Sequence, residues 1–404
     1  MTLDEAIAQA LAHVEPITET ERVPTLTASG RVLAEEILCP HDVPGFARAA
    51  MDGYAVRAAD LAQASRDSPV TLRVIGAAAM GQDPRTLPAV GEGEALEIST
   101  GAPVPPGADA VVMVEQTARL SDHTVQIFSA VEVGDQVLAA DSDFRRGELV
   151  FRAGHKLRAV DIGALLAMGI SQIQALRRVR VGLISSGDEL VEVGEPLRPG
   201  QVYQINGHIL RQLVEAEGAV GELLGIVPDD PAKLRAAVEQ AVRTYDMVLL
   251  SGGSSVGRRD WTFRIFQDLG EVLVHGIAIK PGRPTIFALI EGKPVIGLPG
   301  NPVSCVLVCE KFVRPVLARR GGVSVLLPSH KLAAAQLMQT VRSTVGREDF
   351  IAVRVRYDGG RLYAIPVAGH SNNISTLARA DGILRVPPEL EEIPQGAQVW
   401  VELL

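Results

Sequence analysis

The sequence predicts a multidomain α/β plus β protein, in which a mostly parallel, three-layer α/β domain is preceded by a β-rich region and followed by a small β domain. Three observations carry this expectation. The chain's 404 residues exceed what one compact core organises. Residues 179–317 alternate apolar runs with amphipathic stretches of helical spacing. Residues from about 40 to 144, and again from about 328, carry short alternating or apolar runs broken by glycine and proline turns.

The chain opens on a helix: Thr2 and Glu5 form a capping box ahead of Leu3, Ile7, Ala10, Leu11 and Val14, which share one face. "PVTLRVIGA", "ADAVVMVEQT" and "TVQIF" then read as strands, and "DIGALLAMGI" (161–170) as a short helix with Asp161 at its cap and Gly169 at its end. In the α/β stretch "VRVGLISSG", "DMVLLSGG" and "KPVIGLPGNP" are strands that stop at glycines. "NGHILRQLVEAEG" is a helix capped by Asn206 and ended by Gly218. "DDPAKLRAAVEQAVRTY" is a second, with an aspartate cap and Pro231 in its first turn, and a third starts at Asn301 and Pro302. Strands and helices alternating at these lengths build a mainly parallel sheet covered on both faces, whose ligands sit beyond the carboxyl ends of the strands. In the tail, "DFIAVRVRYDGGRLYAIPVA" is a hairpin about a "DGG" turn.

A formal net charge of −9 argues against broad attraction to nucleic acid or an anionic membrane, so an anionic ligand has to be gripped locally. Three cysteines, Cys39, Cys305 and Cys309, cannot build a disulfide framework and read as buried thiols. The first residues lack the basic and long apolar regions of a signal peptide, and no run of about 18 apolar residues occurs, which gives the expectation of a cytoplasmic protein.

Three glycine-containing loops leave three of the apolar strands: "SSGDEL" (185–190), "SGGSSVGRRD" (251–260) and "LPGNPVS" (298–304). Glycines let backbone N–H groups approach a ligand, and the helix after Asn301 turns its positive end to the same rim. "IKPGRP" (279–284) adds the cations Lys280 and Arg283, while Glu189, Asp229, Asp230 and Asp260 add carboxylates at neighbouring loop ends. Carboxylates beside a phosphate site usually hold a divalent hard cation, because without one the like charges repel. Singly, each feature also reads as structure: a glycine loop as a turn, Asp229 as a helix cap, Glu189 as part of a polar turn, Lys280 or Arg283 as a solvated charge. Together, at one sheet edge, they point to a nucleotide-like ligand. The chain has no G-x-x-x-x-G-K-[ST], no H-E-x-x-H and no paired C-x-x-C, and "GGSSVG" lacks the dinucleotide spacing G-x-G-x-x-G.

In order along the chain, "DVPGFARAAMDGYAV" (42–56), "STGAPVPPGADAVVMVE" (99–115), "SSGDEL", "SGGSSVGRRD", "IKPGRP" and "GLPGNPVS" resemble the molybdopterin molybdenumtransferase family, MoeA and the E domain of gephyrin. The likeness runs from about residue 3 to 404. It implies an enzyme of molybdenum cofactor synthesis that takes adenylylated molybdopterin and molybdate, inserts the metal into the dithiolene and releases AMP, with Mg²⁺ assisting. By position it implies catalytic roles for Asp52, Glu189, Asp229, Asp260 and Lys280, with Glu189 and Asp260 turned to the divalent cation and Lys280 to molybdate or phosphate. Substrate contacts are implied for Thr100, Gly252, Gly253, Ser254, Arg283, Pro299, Gly300, Asn301 and Ser371. Trp261 is expected to pack behind the 251–260 loop.

The resemblance also implies a MogA- and MoaB-like fold for the α/β domain, a β-rich domain inserted in the N-terminal region, and an elongated homodimer with its cleft between the α/β domain of one subunit and the β domain of the other. Composition shifts near residues 44, 144, 177 and 326 agree with four domains: 1–44 with 145–176, 45–144, 177–326 and a barrel-like 327–404. The implied partners are the small-molecule substrates, a second copy, and transient contacts with the adenylyltransferase and molybdoenzyme maturation proteins, with neither nucleic acid nor membrane. Three positions depart from the family pattern: Leu138, where an arginine is frequent, Gly276, where a basic residue is common, and Arg283, where lysine is common. An adenylyltransferase, a gephyrin-like scaffold or cofactor carrier, and tungstate in place of molybdate stand as alternatives.

Overall fold

The computed structural model describes residues 1–252, 259–325 and 330–404, with the backbone alone for Arg259 and Asp260. The chain divides into two compact units, Met1–Glu35 with Ala153–Ala159 and Gln172–Leu404, and Glu36–Arg152 with Val160–Ser171.

The second unit is built on six strands in the order Ala110–Met113, Gly53–Val56, Glu94–Ile98, Val70–Ala78, Thr124–Ile127, Thr117–Ser121. Alternate side chains leave opposite faces. Tyr54 and Val56 pack with Leu61, Leu72 and Val112, whereas Ala55 packs with Leu96, Ile98 and Val111. Both faces are buried, which is why the sequence here shows apolar runs rather than strict alternation. Gly53 has no room for a side chain: a Cβ there would lie 1.8 Å from the Val112 carbonyl oxygen.

In the first unit the predicted α/β sheet has the order Val220–Val227, Arg180–Ser186, Met247–Ser251, Lys293–Leu298, Ile286–Ile290, Glu271–His275. The first four strands are parallel and the last two antiparallel. Met247 and Leu249 bury against the helices Leu3–His13, Asn206–Ala216 and the segment 302–320. Val248 and Leu250 bury against the helices Pro231–Thr244 and Arg259–Leu269. The three-layer expectation is met. Phe266, Phe287 and Phe312 are fully buried, each contributing about 1.5–3 kcal/mol by transfer from water.

Local signals hold in several places. The Thr2–Glu5 capping box forms with both reciprocal hydrogen bonds. The "DGG" hairpin joins Glu348–Asp358 to Arg361–Pro366, with Gly359 and Gly360 both at positive φ. The tail sheet runs Ile279–Lys280, Glu348–Asp358, Arg361–Pro366, Leu332–Leu337, Gln398–Leu403, Gly382–Val386, and the last strand pairs back to Glu348–Asp358, closing a barrel. Its first strand, Ile279–Lys280, comes from the "IKPGRP" loop.

Two caps differ from expectation. Asn206 is the first residue of its helix and gives no side-chain cap, because its amide is drawn to another loop. The helix expected at 161–170 begins at Ala159, so Asp161 lies buried in its first turn instead of at its cap. Among the described residues no helix is long and apolar enough to cross a membrane.

Candidate active site

The parallel strands end in serines. Ser185, Ser186 and Ser251 are buried at the carboxyl ends of adjacent strands, where the backbone turns away and leaves a rim. Ser185 Oγ lies 3.4 Å from Ser251 Oγ and accepts from Gln204 Nε2 at 2.9 Å. Gly252 then passes so close to the neighbouring strand that a Cβ would sit 2.2 Å from the Ser186 carbonyl oxygen, and its φ of +133° is one L side chains avoid.

Next along this rim, Asp188 and Asp229 clasp two loops together. Asp188 N donates to Asp229 Oδ2 at 3.2 Å, Asp229 N donates to Asp188 Oδ1 at 3.1 Å, and Ser186 Oγ donates to Asp229 Oδ1 at 2.9 Å. The helix cap is its neighbour Asp230, whose carboxylate accepts from Ala232 N and Lys233 N. Asp229 is thereby left to the rim, which decides against its reading as a cap. Glu189 is exposed, and among the described residues no group donates to its carboxylate.

The third loop is tied in from two directions. Asn206 Nδ2 donates to Gly300 O at 2.8 Å, and Asn301 Nδ2 donates to Ser371 Oγ at 3.0 Å. Ser371 O accepts from Val303 N at 3.1 Å. Ser371, Gly300 and Asn301 therefore meet, with Pro299 buried beneath them. The helix Pro302–Val308 continues through a wider turn, Cys309–Val313, into Arg314–Arg320.

Lys280 is exposed along its stem, yet its ammonium is held 2.8 Å from Oδ2 of the buried Asp349. The parallel register that sets Lys280 beside Asp349 fixes this pair. Arg283 is exposed. Gly276, one departure from the family pattern, has φ of +87°, a conformation that favours glycine over the expected basic residue. Leu138 pairs across two short strands with Arg48, so a guanidinium stands opposite another departure.

In the second unit Thr100 donates its backbone N–H at 2.6 Å and its hydroxyl at 3.0 Å to Asp52 Oδ1. The backbone bond first, and the hydroxyl after it, hold the Asp52 carboxyl below the usual aspartate value.

Gly253, Ser254 and the side chain of Asp260 lie outside the described residues. Trp261 is 37% exposed, and residues 253–258 of the loop it is expected to support lie outside the described residues. Asp188, Gln204 and Asp349 carry no role in the sequence reading, and Asn206 is read there only as a helix cap. Asp188 stood inside a quoted loop, whereas Asp349 carries no local signal because its partner is far away in the chain.

Among the described residues no group of three or more His, Cys, Asp or Glu is arranged to hold a metal. Mg²⁺ does not require one: it keeps several waters and takes one or two carboxylates together with substrate phosphates. The hard oxygens of the exposed Glu189 carboxylate suit that ion.

Comparison with known proteins covers nearly the whole chain. Residues 1–169 match the MoeA N-terminal region (domain I and II), 182–319 a probable molybdopterin binding domain, and 334–404 the MoeA C-terminal region (domain IV). A molybdopterin molybdenumtransferase of Haemophilus influenzae is 36% identical over 352 residues, 87% of this chain and 85% of that protein. One from Bacillus subtilis is 32% identical over 411 residues, 100% of this chain and 94% of that protein. Two crystal structures of molybdopterin biosynthesis MoeA protein from Pyrococcus horikoshii superpose with TM-scores of 0.85 and 0.78, at 32% and 37% identity, covering 100% of this chain in both cases and 100% and 98% of theirs. By these measures the chain belongs to the MoeA family, the molybdopterin molybdenumtransferases.

Proposed function

We propose that this chain is the molybdenum insertase of its family, taking adenylylated molybdopterin and molybdate, placing molybdenum on the dithiolene and releasing AMP. The observation that supports it best is the rim itself: a Glu189 carboxylate that no group among the described residues partners, beside the Asp188–Asp229 clasp, at the carboxyl ends of parallel strands in a chain matched along its length by the family. The matches to both terminal regions extend beyond what a single-domain adenylyltransferase would need.

In this reading Glu189 and Asp260 would hold Mg²⁺, which when bound would neutralise and polarise the phosphoanhydride, with Asp229 beside them as a catalytic carboxylate. Lys280 and Arg283 supply fixed positive charge to phosphate or molybdate oxygens, and Asp349 keeps the Lys280 ammonium in place before substrate arrives. Attack of water at the adenylyl phosphorus breaks the anhydride and gives AMP and the pterin phosphate; attack there by a molybdate oxygen expels the same pterin phosphate and gives an adenylyl-molybdate, from which water then releases AMP and molybdate. Gly252, Gly253, Ser254, Pro299, Gly300, Asn301 and Ser371 are assigned to the pterin and its phosphates, and Asp52 and Thr100 to substrate. The four domains 1–44 with 145–176, 45–144, 177–326 and 327–404, a homodimer, and action in the cytoplasm belong to the same proposal; three buried free thiols accord with a reducing compartment.

The test is AMP release and active-cofactor formation from adenylylated molybdopterin with molybdate and Mg²⁺, for wild type, Glu189→Gln and Asp260→Ala. The expected result is turnover by wild type, and variants that bind the pterin without releasing AMP. Wild type that binds the pterin and releases no AMP with either molybdate or tungstate would sink the insertase reading in favour of a carrier or scaffold. Turnover with tungstate alone would reassign the metal.

A further inference from the structure

A cavity of about 730 Å³ opens within the first unit, and none of the residues around it belongs to the loops of the candidate active site. One wall is a backbone-paired set in which Gly30 N donates to Leu157 O at 2.7 Å and Leu157 N to Arg31 O at 2.8 Å. The other is the end of the helix Asn206–Ala216 together with the helix Arg314–Arg320.

The lining is of two kinds. Val32, Leu157, Val179, Leu213 and Leu317 offer apolar surface. Six cations, Arg31, Lys156, Arg158, Arg177, Arg178 and Arg314, stand against two carboxylates, Glu217 and Glu310. Glu217 is shared, accepting from Lys156 Nζ at 2.9 Å and from Arg314 Nε at 2.6 Å, so that one carboxylate faces two cations. Arg31 is turned to Glu21 at 2.5 Å, Arg177 to Asp246 at 2.6 Å, and His330 to Glu310 at 3.0 Å. Arg178 is exposed, and the described residues give its guanidinium no hydrogen bond or ion pair.

Glu21, Glu19 and Asp246 stand behind the lining and neutralise Arg31 and Arg177, so the positive charge that favours an anion rests on Glu217 being shared by two cations and on Arg178, in a chain whose net charge is otherwise −9. The volume is that of a site for a small organic molecule, and the apolar lining suits a body without charge. We infer that this cavity binds a small organic anion, an apolar body bearing a phosphate or similar group, with Arg178 as the cation that meets the anionic end.

The probe is 1-naphthyl phosphate, titrated into the full chain carrying methyl labels. Saturable shifts are expected at Val32, Leu213 and Leu317, with affinity about tenfold weaker for 1-naphthol, for inorganic phosphate and in Arg178→Glu, since each lacks one half of the recognition. Arg178→Glu is expected to leave the other methyl signals in place, because the residue is exposed and has no side-chain partner among the described residues. Leu213→Trp fills the cavity, and with the rest of the methyl spectrum retained it is expected to abolish the shifts. Equal binding of 1-naphthol and 1-naphthyl phosphate would overturn the anion assignment. Absence of saturation at the three residues, or shifts indifferent to both variants, would overturn the site.

Discussion

Thr100 gives both its backbone N–H and its hydroxyl to one oxygen of Asp52, at 2.6 and 3.0 Å. The arrangement fixes one oxygen of an exposed carboxylate and leaves the other free of Thr100.

Because these bonds favour the charged form, the Asp52 carboxyl is held below the ordinary aspartate value, chiefly by the Thr100 N–H. A depressed folded-state value means that the stabilisation is present above the unfolded aspartate value and is lost as pH falls through the folded one. Carboxyl carbon NMR titration should place Asp52 below free aspartate, and Thr100→Val should move it back part of the way. An unchanged titration in that variant would leave the hydroxyl without a role.

Gly252→Ala is expected to destabilise the fold by about 1–3 kcal/mol, because the added carbon meets the Ser186 carbonyl oxygen at 2.2 Å on a backbone with φ of +133°. Urea unfolding measures this. A variant as stable as wild type would show that the turn relaxes at no cost.

Among the described residues, Lys280→Met leaves the buried Asp349 carboxylate with only the Ser343 hydroxyl, 3.4 Å away. The expected loss is about 1–3 kcal/mol. The double variant Lys280→Met with Asp349→Asn should recover part of it, since no charge then stays buried without its partner. Additive losses in the two single variants would mean that the pair is not coupled.

Cys39, Cys305 and Cys309 are buried free thiols, and burial pushes the Cys305 thiol up to about 12. The native chain should consume no thiol reagent at pH 8 over minutes, and three equivalents once unfolded. Rapid native labelling at Cys305 would contradict the packing around it.

The sequence by itself determined what short-range chemistry decides. Apolar runs and helical stripes placed the α/β strands and helices, Thr2 and Glu5 announced the first cap, and Gly359–Gly360 announced the tail hairpin. The order of six loop motifs pointed to the family. Tertiary structure decided the partners. That Asp230 caps the helix while Asp229 serves the rim depends on a neighbouring loop reaching Asp229 through Asp188. Asn206 was taken for a cap because its type suits one, yet the Gly300 carbonyl, 94 positions away, claims its amide. Lys280 and Asp349 meet only because two strands from different parts of the chain adopt one register. Periodicity and capping act over a few residues and are legible in order. Pairing across a sheet, or between loops at its edge, is set by packing of the whole core, and no local pattern encodes it.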